Sequence, residues 1–260
     1  MKAMVLAAGL GTRLRPLTND RPKALVEVTG RTLLEITLTR LRDSGINDVI
    51  INVHHYADMV IGHLKAAGNF GMHIEFSREE ILLDTGGGLK KAAWFLGESG
   101  DRSGNHGASA THANPDEPFI LHNVDVISNI DLQRMVEVHK QSAALATLAV
   151  QERKTSRYLL FDNELQLCGR RLVKEEKTEI VRPSQNMSEL AFTGIHVISP
   201  RIFSLLTEEG IFSIIPAYLR LAAQGERIQA FRADEYYWRD LGKPENIQQA
   251  EQDMKANLVR

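Results

Sequence analysis

Apolar positions along the chain fall into two spacings that alternate. Residues 2–8, KAMVLAA, form a short apolar run without period-two alternation, the pattern of a strand buried on both faces of a parallel sheet. A Gly-rich stretch beginning at Gly9 ends it, and a polar loop carrying Arg13, Arg15, Pro16, Arg21, Pro22 and Lys23 follows. Leu33, Leu34, Ile36, Leu38 and Leu41 then recur at helical spacing and predict an amphipathic helix that stops near Gly45. DVIINVHHYADMVIGHLKAAG repeats strand then helix, HIEFS at 73–77 predicts a third strand, and Thr85 before three glycines and LKKAAWFL predicts the N-cap of another helix. FILHNVDV predicts a buried strand, followed by a helix over 131–141 and the strand ALATLAV. Strands and helices joined in this order, by connections long enough for crossovers, predict an α/β fold with a mostly parallel sheet and helices on both faces.

From about 155 to 198 the pattern changes to short β-like pieces, YLLFD, LQLCG, TEIVR and AFTGIHVIS, which predict a β-rich lobe laid over one side of the sheet. Helices near 200–206 and 212–224, a strand near 227–232 and a helix from 244 close the chain. Residues 98–117 contain none of the large apolar residue types and predict a mobile surface insertion. Its histidines, His106 and His112, have no surrounding shell to orient them toward a metal.

Composition narrows the class. The chain has 260 residues, 43% hydrophobic and 25% charged, which fits one globular domain with a full-size core. A net charge of −2, with no basic block, gives no reason to expect nucleic acid or a polybasic membrane anchor. The single cysteine, Cys168, cannot form an internal disulfide and fits a reducing compartment. The apolar run at the amino terminus is shorter than the roughly 20 residues of a membrane span, and a cytoplasmic location is expected.

The Gly-rich loop is where backbone N–H groups can cradle phosphates. Gly9 and Gly11 are followed by Thr12, Arg13 and Leu14, which breaks the dinucleotide fingerprint, and no P-loop occurs anywhere. A NAD-dependent dehydrogenase is therefore disfavoured. The loop is cationic instead. Arg13 offers a fork for polyphosphate oxygens and Lys23 a point charge, although a solvated basic loop would read the same. His54 and His55 would point to opposite faces of a strand and make a poor zinc pair.

Together the segments are more specific than any one motif. LAAGLGTRLRPLTNDRPKALVEVTGRTLLE resembles the amino-terminal signature of the sugar-1-phosphate nucleotidylyltransferases. TGGGLKKA, FILHNVDV, FTGIHVISP and WRDLGKPENIQQA follow in that family's order. The layout is most similar to the short branch containing N-acetylmuramate-1-phosphate uridylyltransferases, with short mannose-1-phosphate guanylyltransferases next.

The resemblance implies a Rossmann-like three-layer sandwich with a mostly parallel mixed sheet and a small β-rich sugar-binding lobe. It implies one domain over 1–260, with a nucleotide-binding part over 1–150 and a sugar-binding and closing part over 151–260. Leu6, Ala8, Gly9, Gly11, Thr12, Gly86 and Gly87 would hold the nucleotide. Gly88, Asn123, Thr193 and Gly194 would line the sugar pocket. Arg13 would grip the leaving pyrophosphate, Lys23 would stabilise charge at the α-phosphate, and Asp125 and Asp240 would hold Mg²⁺. Three departures touch substrate choice: Val124 stands where glycine is usual, KEEKTEIVRP occupies the region of a Glu-Lys-Pro motif, and Lys243 replaces a common threonine.

The implied chemistry is attack by a sugar-1-phosphate oxygen on the α-phosphorus of a nucleoside triphosphate. That nucleophile is already anionic, so cations and alignment are needed and a general base is not. Mg²⁺ suits two carboxylates plus phosphate oxygens, and Asp125 and Asp240 both fall at predicted strand ends, where ligands of α/β sheets gather. The preferred substrates are UTP with an amino-sugar or hexose 1-phosphate, and guanylyl transfer to mannose 1-phosphate or thymidylyl transfer to glucose 1-phosphate are alternatives. A non-catalytic nucleotide-sugar-binding protein and a glycosyltransferase are rivals of other classes, the latter disfavoured because its donor has no pyrophosphate for Arg13 and Lys23 to expel. Apolar residues in the last helices are compatible with a homodimer.

Overall fold

A computed structural model describes residues 1–97 and 116–259. In chain order the first part comprises β1 (Lys2–Leu6), β2 (Glu27–Val28), β3 (Arg31–Thr32), α1 (Leu33–Asp43), β4 (Asp48–Val53), α2 (Ala57–Ala66), β5 (His73–Arg78), α3 (Asp84–Lys91) and α4 (Ala93–Leu96). After the gap come β6 (Phe119–Asn123), β7 (Val126–Ser128), α5 (Leu132–Ser142), β8 (Ala146–Gln151), β9 (Arg157–Phe161), β10 (Leu167–Leu172), β11 (Lys177–Ile180) and β12 (Ser188–Ile198). The chain closes with α6 (Ile202–Leu205), α7 (Ile214–Ala223), β13 (Ile228–Arg232), β14 (Trp238–Asp240) and α8 (Pro244–Lys255).

The strands predicted as buried runs are the centre of the sheet, where β5, β4, β1 and β6 lie side by side and parallel. Successive residues of β1 enter opposite apolar layers: Ala3 and Val5 pack with residues of α1, α2, α5 and α8, while Met4 packs with those of α3, α4, α6 and α7. Helices on both faces of a mixed sheet make the three layers, and burial from both sides explains why β1 shows no alternation. Among the described residues no helix is long and apolar enough to cross a membrane.

The carboxy-terminal half attaches differently from the expectation. β12 has eleven residues, long enough to serve several neighbours. Its end (Ile195–Ile198) pairs antiparallel with β6, its start (Ser188–Leu190) pairs with β9, and β8, itself joined to β13, pairs along it with a register shift between Phe192 and His196. The lobe strands β9, β10 and β11 therefore extend the sheet beyond β12 instead of lying across its face. The predicted insertion over 98–117, with His106 and His112, falls outside the described residues apart from Asp116 and Glu117, and the Glu117 carboxylate pairs with the Met1 ammonium at 2.9 Å.

Thr85 is not the N-cap predicted for its helix. α3 starts two residues earlier, at Asp84 with Leu83 as its cap, and the Glu79 carboxylate accepts the Leu83 N–H at 2.9 Å. The Thr85 hydroxyl instead accepts the N–H of Ile214 at 3.0 Å and so caps α7. Two small ribbons were not predicted as such: β2 with β3 around the positive-φ pair Thr29–Gly30, the geometry of a tight primed hairpin turn, and β14 with β7.

Candidate active site

The β14–β7 ribbon brings together two acids distant in sequence. Asp240 sits opposite Val126, and the N–H of Leu241 donates to the backbone carbonyl of Asp125 at 2.7 Å. The turn after β14 is built on Asp240: its Oδ1 accepts the Gly242 N–H at 2.6 Å, and its carbonyl accepts Asn246 Nδ2 at 2.7 Å. Gly242 is needed for close approach, because a Cβ there would lie 2.8 Å from both an Arg13 guanidinium nitrogen and Asp240 Oδ1. Lys23, largely buried, donates through Nζ to Asp125 Oδ2. The structure thus gathers Arg13, Lys23, Asp125 and Asp240, four residues drawn from the first loop, the end of β6 and the end of β14.

Arg40 of α1 fixes the same ribbon from behind. Its guanidinium donates to the carbonyls of Ser128 and Ile130, and burial lowers its pKa to about 10. Sequence reading missed it, since a lone arginine on a helix looks like a solvated residue.

Two cavities meet at Asn123 and Asp125. The smaller, about 360 Å³, is lined by Leu6, Ala8, Gly9 and Lys23 together with Leu82 and Ile211. Gly9, Gly11, Thr12 and Arg13 bound a neighbouring recess that also reaches Lys23 and Asp125. A polar brace underlies the first loop. Asn52 Oδ1 accepts the N–H groups of Ala7 and Ala8 at 2.7 and 3.3 Å, and Asn52 Nδ2 donates to the buried Glu79 carboxylate at 2.7 Å. A polar residue inside the apolar run of β4 was the available signal for Asn52.

The three glycines of α3 are packed closely against protein neighbours. Gly86 and Gly87 abut Phe212 and Gly210, and their N–H groups both donate to the Phe212 carbonyl. A Cβ on Gly88 would lie 2.8 Å from the Glu79 carboxylate. Their small size admits protein neighbours, and the cavity wall is formed by Asp84 and Thr85. Asp84 holds a positive φ of 60° and lines both cavities, a sparsely populated conformation of the kind that gathers at functional sites.

The larger cavity, about 640 Å³, runs from Arg13, Asp125 and Asp240 out to the lobe. Thr193, Gly194 and Asn123 line it. The Thr193 hydroxyl donates to the Ala149 carbonyl at 2.8 Å, and Trp238 Nε1 donates to the Thr193 carbonyl at 2.7 Å, so Thr193 shapes the wall through its backbone. Gly194 has φ +84° and a Cβ there would meet Asn123 Nδ2 at 2.7 Å, so glycine is required on both counts.

Sequence reading named none of the arginines on the lobe side. Arg153 lies over the Trp238 ring at 3.8 Å and donates to the Phe192 carbonyl at 2.8 Å. Burial pushes its pKa down, opposed by the Asp240 carboxylate. Arg157 and Arg170 also face this cavity. Of KEEKTEIVRP only Glu175 lines it. Val124 is buried on the wall of the smaller cavity and donates its N–H to the Leu6 carbonyl at 3.2 Å, while Lys243 is exposed and sits 3.8 Å from Glu245. His122 lies under the site, bonded to the Asn123 carbonyl, with a pKa lowered to about 4 by burial and then by the charge of Arg40.

Two acids facing two cations where two cavities join, on a three-layer α/β sheet, define an enzyme of the nucleotidyl-transferring class. The chain belongs to the nucleotidyl transferase family, whose model matches residues 2–257. It is 35% identical over 250 residues to the N-acetylmuramate alpha-1-phosphate uridylyltransferase of Caulobacter vibrioides, covering 94% of this chain and 92% of that one. It is 29% identical to the UTP–glucose-1-phosphate uridylyltransferase AglF of Haloferax volcanii, covering 100% and 99%. HddC from Yersinia pseudotuberculosis, solved with GMP-PN, superposes with a TM-score of 0.72 at 21% identity over 97% of this chain and 99% of that one, a likeness of fold.

Proposed function

We propose that the protein transfers a uridylyl group from UTP to an amino-sugar 1-phosphate of the N-acetylmuramate type, releasing pyrophosphate. The observation that carries this reading is the meeting of Arg13, Lys23, Asp125 and Asp240 at the junction of two cavities, one bounded by the Gly-rich loop and one by the lobe. The uridylyltransferase relatives support the choice of base, and the Caulobacter relative supports the choice of sugar.

In the reaction a phosphate oxygen of the sugar 1-phosphate forms a bond to the α-phosphorus. The bond from that phosphorus to the α–β bridging oxygen breaks, and its electron pair leaves with pyrophosphate. The barrier is repulsion between anions and charge building on the leaving group, so aligned cations supply the catalysis. Lys23, bonded to Asp125, keeps N–H donors to turn toward the α-phosphate. Arg13, exposed in the recess beside Gly242, presents its fork to the leaving pyrophosphate. Asn52 and Glu79 hold the first loop in the shape that lets its backbone meet the nucleotide.

The acids also fit a hard divalent cation such as Mg²⁺. Asp125 and Asp240 line one cavity, and one or two carboxylates are what such an ion takes when phosphate oxygens and water complete its shell. Asp125 and Asp240 would hold it, and when bound it would neutralise phosphate charge.

The test is pyrophosphate release with a panel of nucleoside triphosphates and sugar 1-phosphates. UTP with N-acetylmuramate 1-phosphate is expected to give the highest rate, and Asp240→Asn to lower it on the order of 100-fold with the melting temperature retained. Turnover preferring another base, or an undiminished Asp240→Asn rate across magnesium concentrations, would overturn the corresponding assignment.

A further inference from the structure

Resting on that reading, the lobe side of the larger cavity carries a second recognition element, remote in the chain from the phosphate-binding residues. β9 and β10 pair antiparallel with Arg157 opposite Leu172 and Leu159 opposite Arg170. All four side chains line the cavity, so one face of this hairpin presents two cations on a diagonal and two leucines on the other diagonal. Arg170 is neutralised by Glu179 at 2.8 Å, and Glu175 lies on the same wall. Arg157 is exposed, and no ion pair or side-chain hydrogen bond engages its guanidinium among the described residues. Arg153 adds a third guanidinium, positioned over Trp238, whose buried Nε has no hydrogen-bond partner.

Arg157 is thus the guanidinium on this wall left open to a ligand anion, and its fork matches a carboxylate in shape. A neutral hexose would leave the Arg157 guanidinium unmatched. A carboxylate on a short hydrocarbon arm would engage Arg157 with its oxygens and pack its carbons against the half-buried Leu172. The acids at the other end of the cavity, Asp125 and Asp240, stand beside Lys23 and Arg13, so the two ends differ in kind.

We propose that Arg157, assisted by Arg153, is the specificity residue that selects a sugar 1-phosphate bearing a carboxylate arm over its neutral counterpart. N-acetylmuramate 1-phosphate and N-acetylglucosamine 1-phosphate differ by only such an arm, and are the probes. With UTP and Mg²⁺, the wild-type protein is expected to show the larger kcat/KM on the acidic sugar. Arg157→Ala lowers the acidic-to-neutral ratio about tenfold, chiefly through KM, and Arg157→Lys restores part of it. Arg171→Ala, on the neighbouring residue that pairs with Glu189 away from the cavity, leaves the ratio unchanged. An Arg157→Ala loss equal on both sugars would overturn this assignment and leave the proposed function standing, whereas a wild-type preference for the neutral sugar would overturn this assignment together with the choice of sugar, pyrophosphate release still supporting nucleotidyl transfer. Absence of pyrophosphate release from any sugar 1-phosphate would overturn both.

Discussion

At the scale of single residues, the charges that matter are distinguished by their neighbours. Arg13 and Asp240 crowd one glycine and Lys23 meets Asp125, whereas Arg21 pairs with the adjacent Asp20 at the surface. Arg13→Ala is expected to slow the reverse reaction, from UDP-sugar and pyrophosphate, about tenfold, as loss of a charged hydrogen bond predicts; UTP formation measures it. Three buried histidines give a second prediction. Burial lowers His122 and His139 to about 4 and His196 to about 3, each below the ordinary value of 6.5. The unfolded chain therefore binds more protons than the folded one below about pH 6.5, so their neutral burial costs nothing above that pH and destabilises progressively toward pH 4. Urea denaturation across pH 7 to 4 is expected to show this decline, and His196→Gln, which retains a polar partner for the Tyr218 hydroxyl, to make it shallower. Arg13, Lys23, Asp125 and Asp240 were visible in the sequence because the resemblance runs through them. Asn52, Glu79, Arg40 and Arg153 were not, since each acts through a contact that only the packed chain creates.

At the scale of elements, the sequence carried most of the order and little of the joinery. Buried strands and the helices between them declare themselves by apolar spacing, so β1, β4, β5 and β6 with α1, α2 and α5 stand close to where periodicity put them. The β14–β7 ribbon has three residues on each side and too few positions to show any period, yet it is what unites Asp125 with Asp240. Thr85 shows the same limit, because the sequence offers a cap but does not say which helix receives it. Thr85→Val removes the acceptor for Ile214 and is expected to destabilise the protein by about 1 kcal/mol, read as a lower urea midpoint with an unchanged slope. The glycines that follow support α3 against Phe212 and Gly210, so this change tests the α3–α7 contact on the side of the smaller cavity.

At the scale of the whole molecule, the site draws on the first loop, the middle of the sheet and the last strand, so occupancy should report on the entire fold. On the proposed function, UTP with Mg²⁺ at about 100 times its dissociation constant is expected to contribute about 2.7 kcal/mol to the folded state. For a chain of this size that corresponds to a rise in Tm of roughly 5 to 10 °C, readable by differential scanning fluorimetry. Chelating the metal is expected to remove most of the rise, and Asp240→Asn to do the same at saturating magnesium. The branch at β12 has a consequence for exchanging substrate preference between relatives. One continuous strand zips onto the lobe through Ser188–Leu190 and onto β6 through Ile195–Ile198. A transplanted lobe therefore cannot be treated as a cassette: whichever parent donates that strand must also match the recipient along β6 and β8, or the graft will leave a frayed seam beside Asn123.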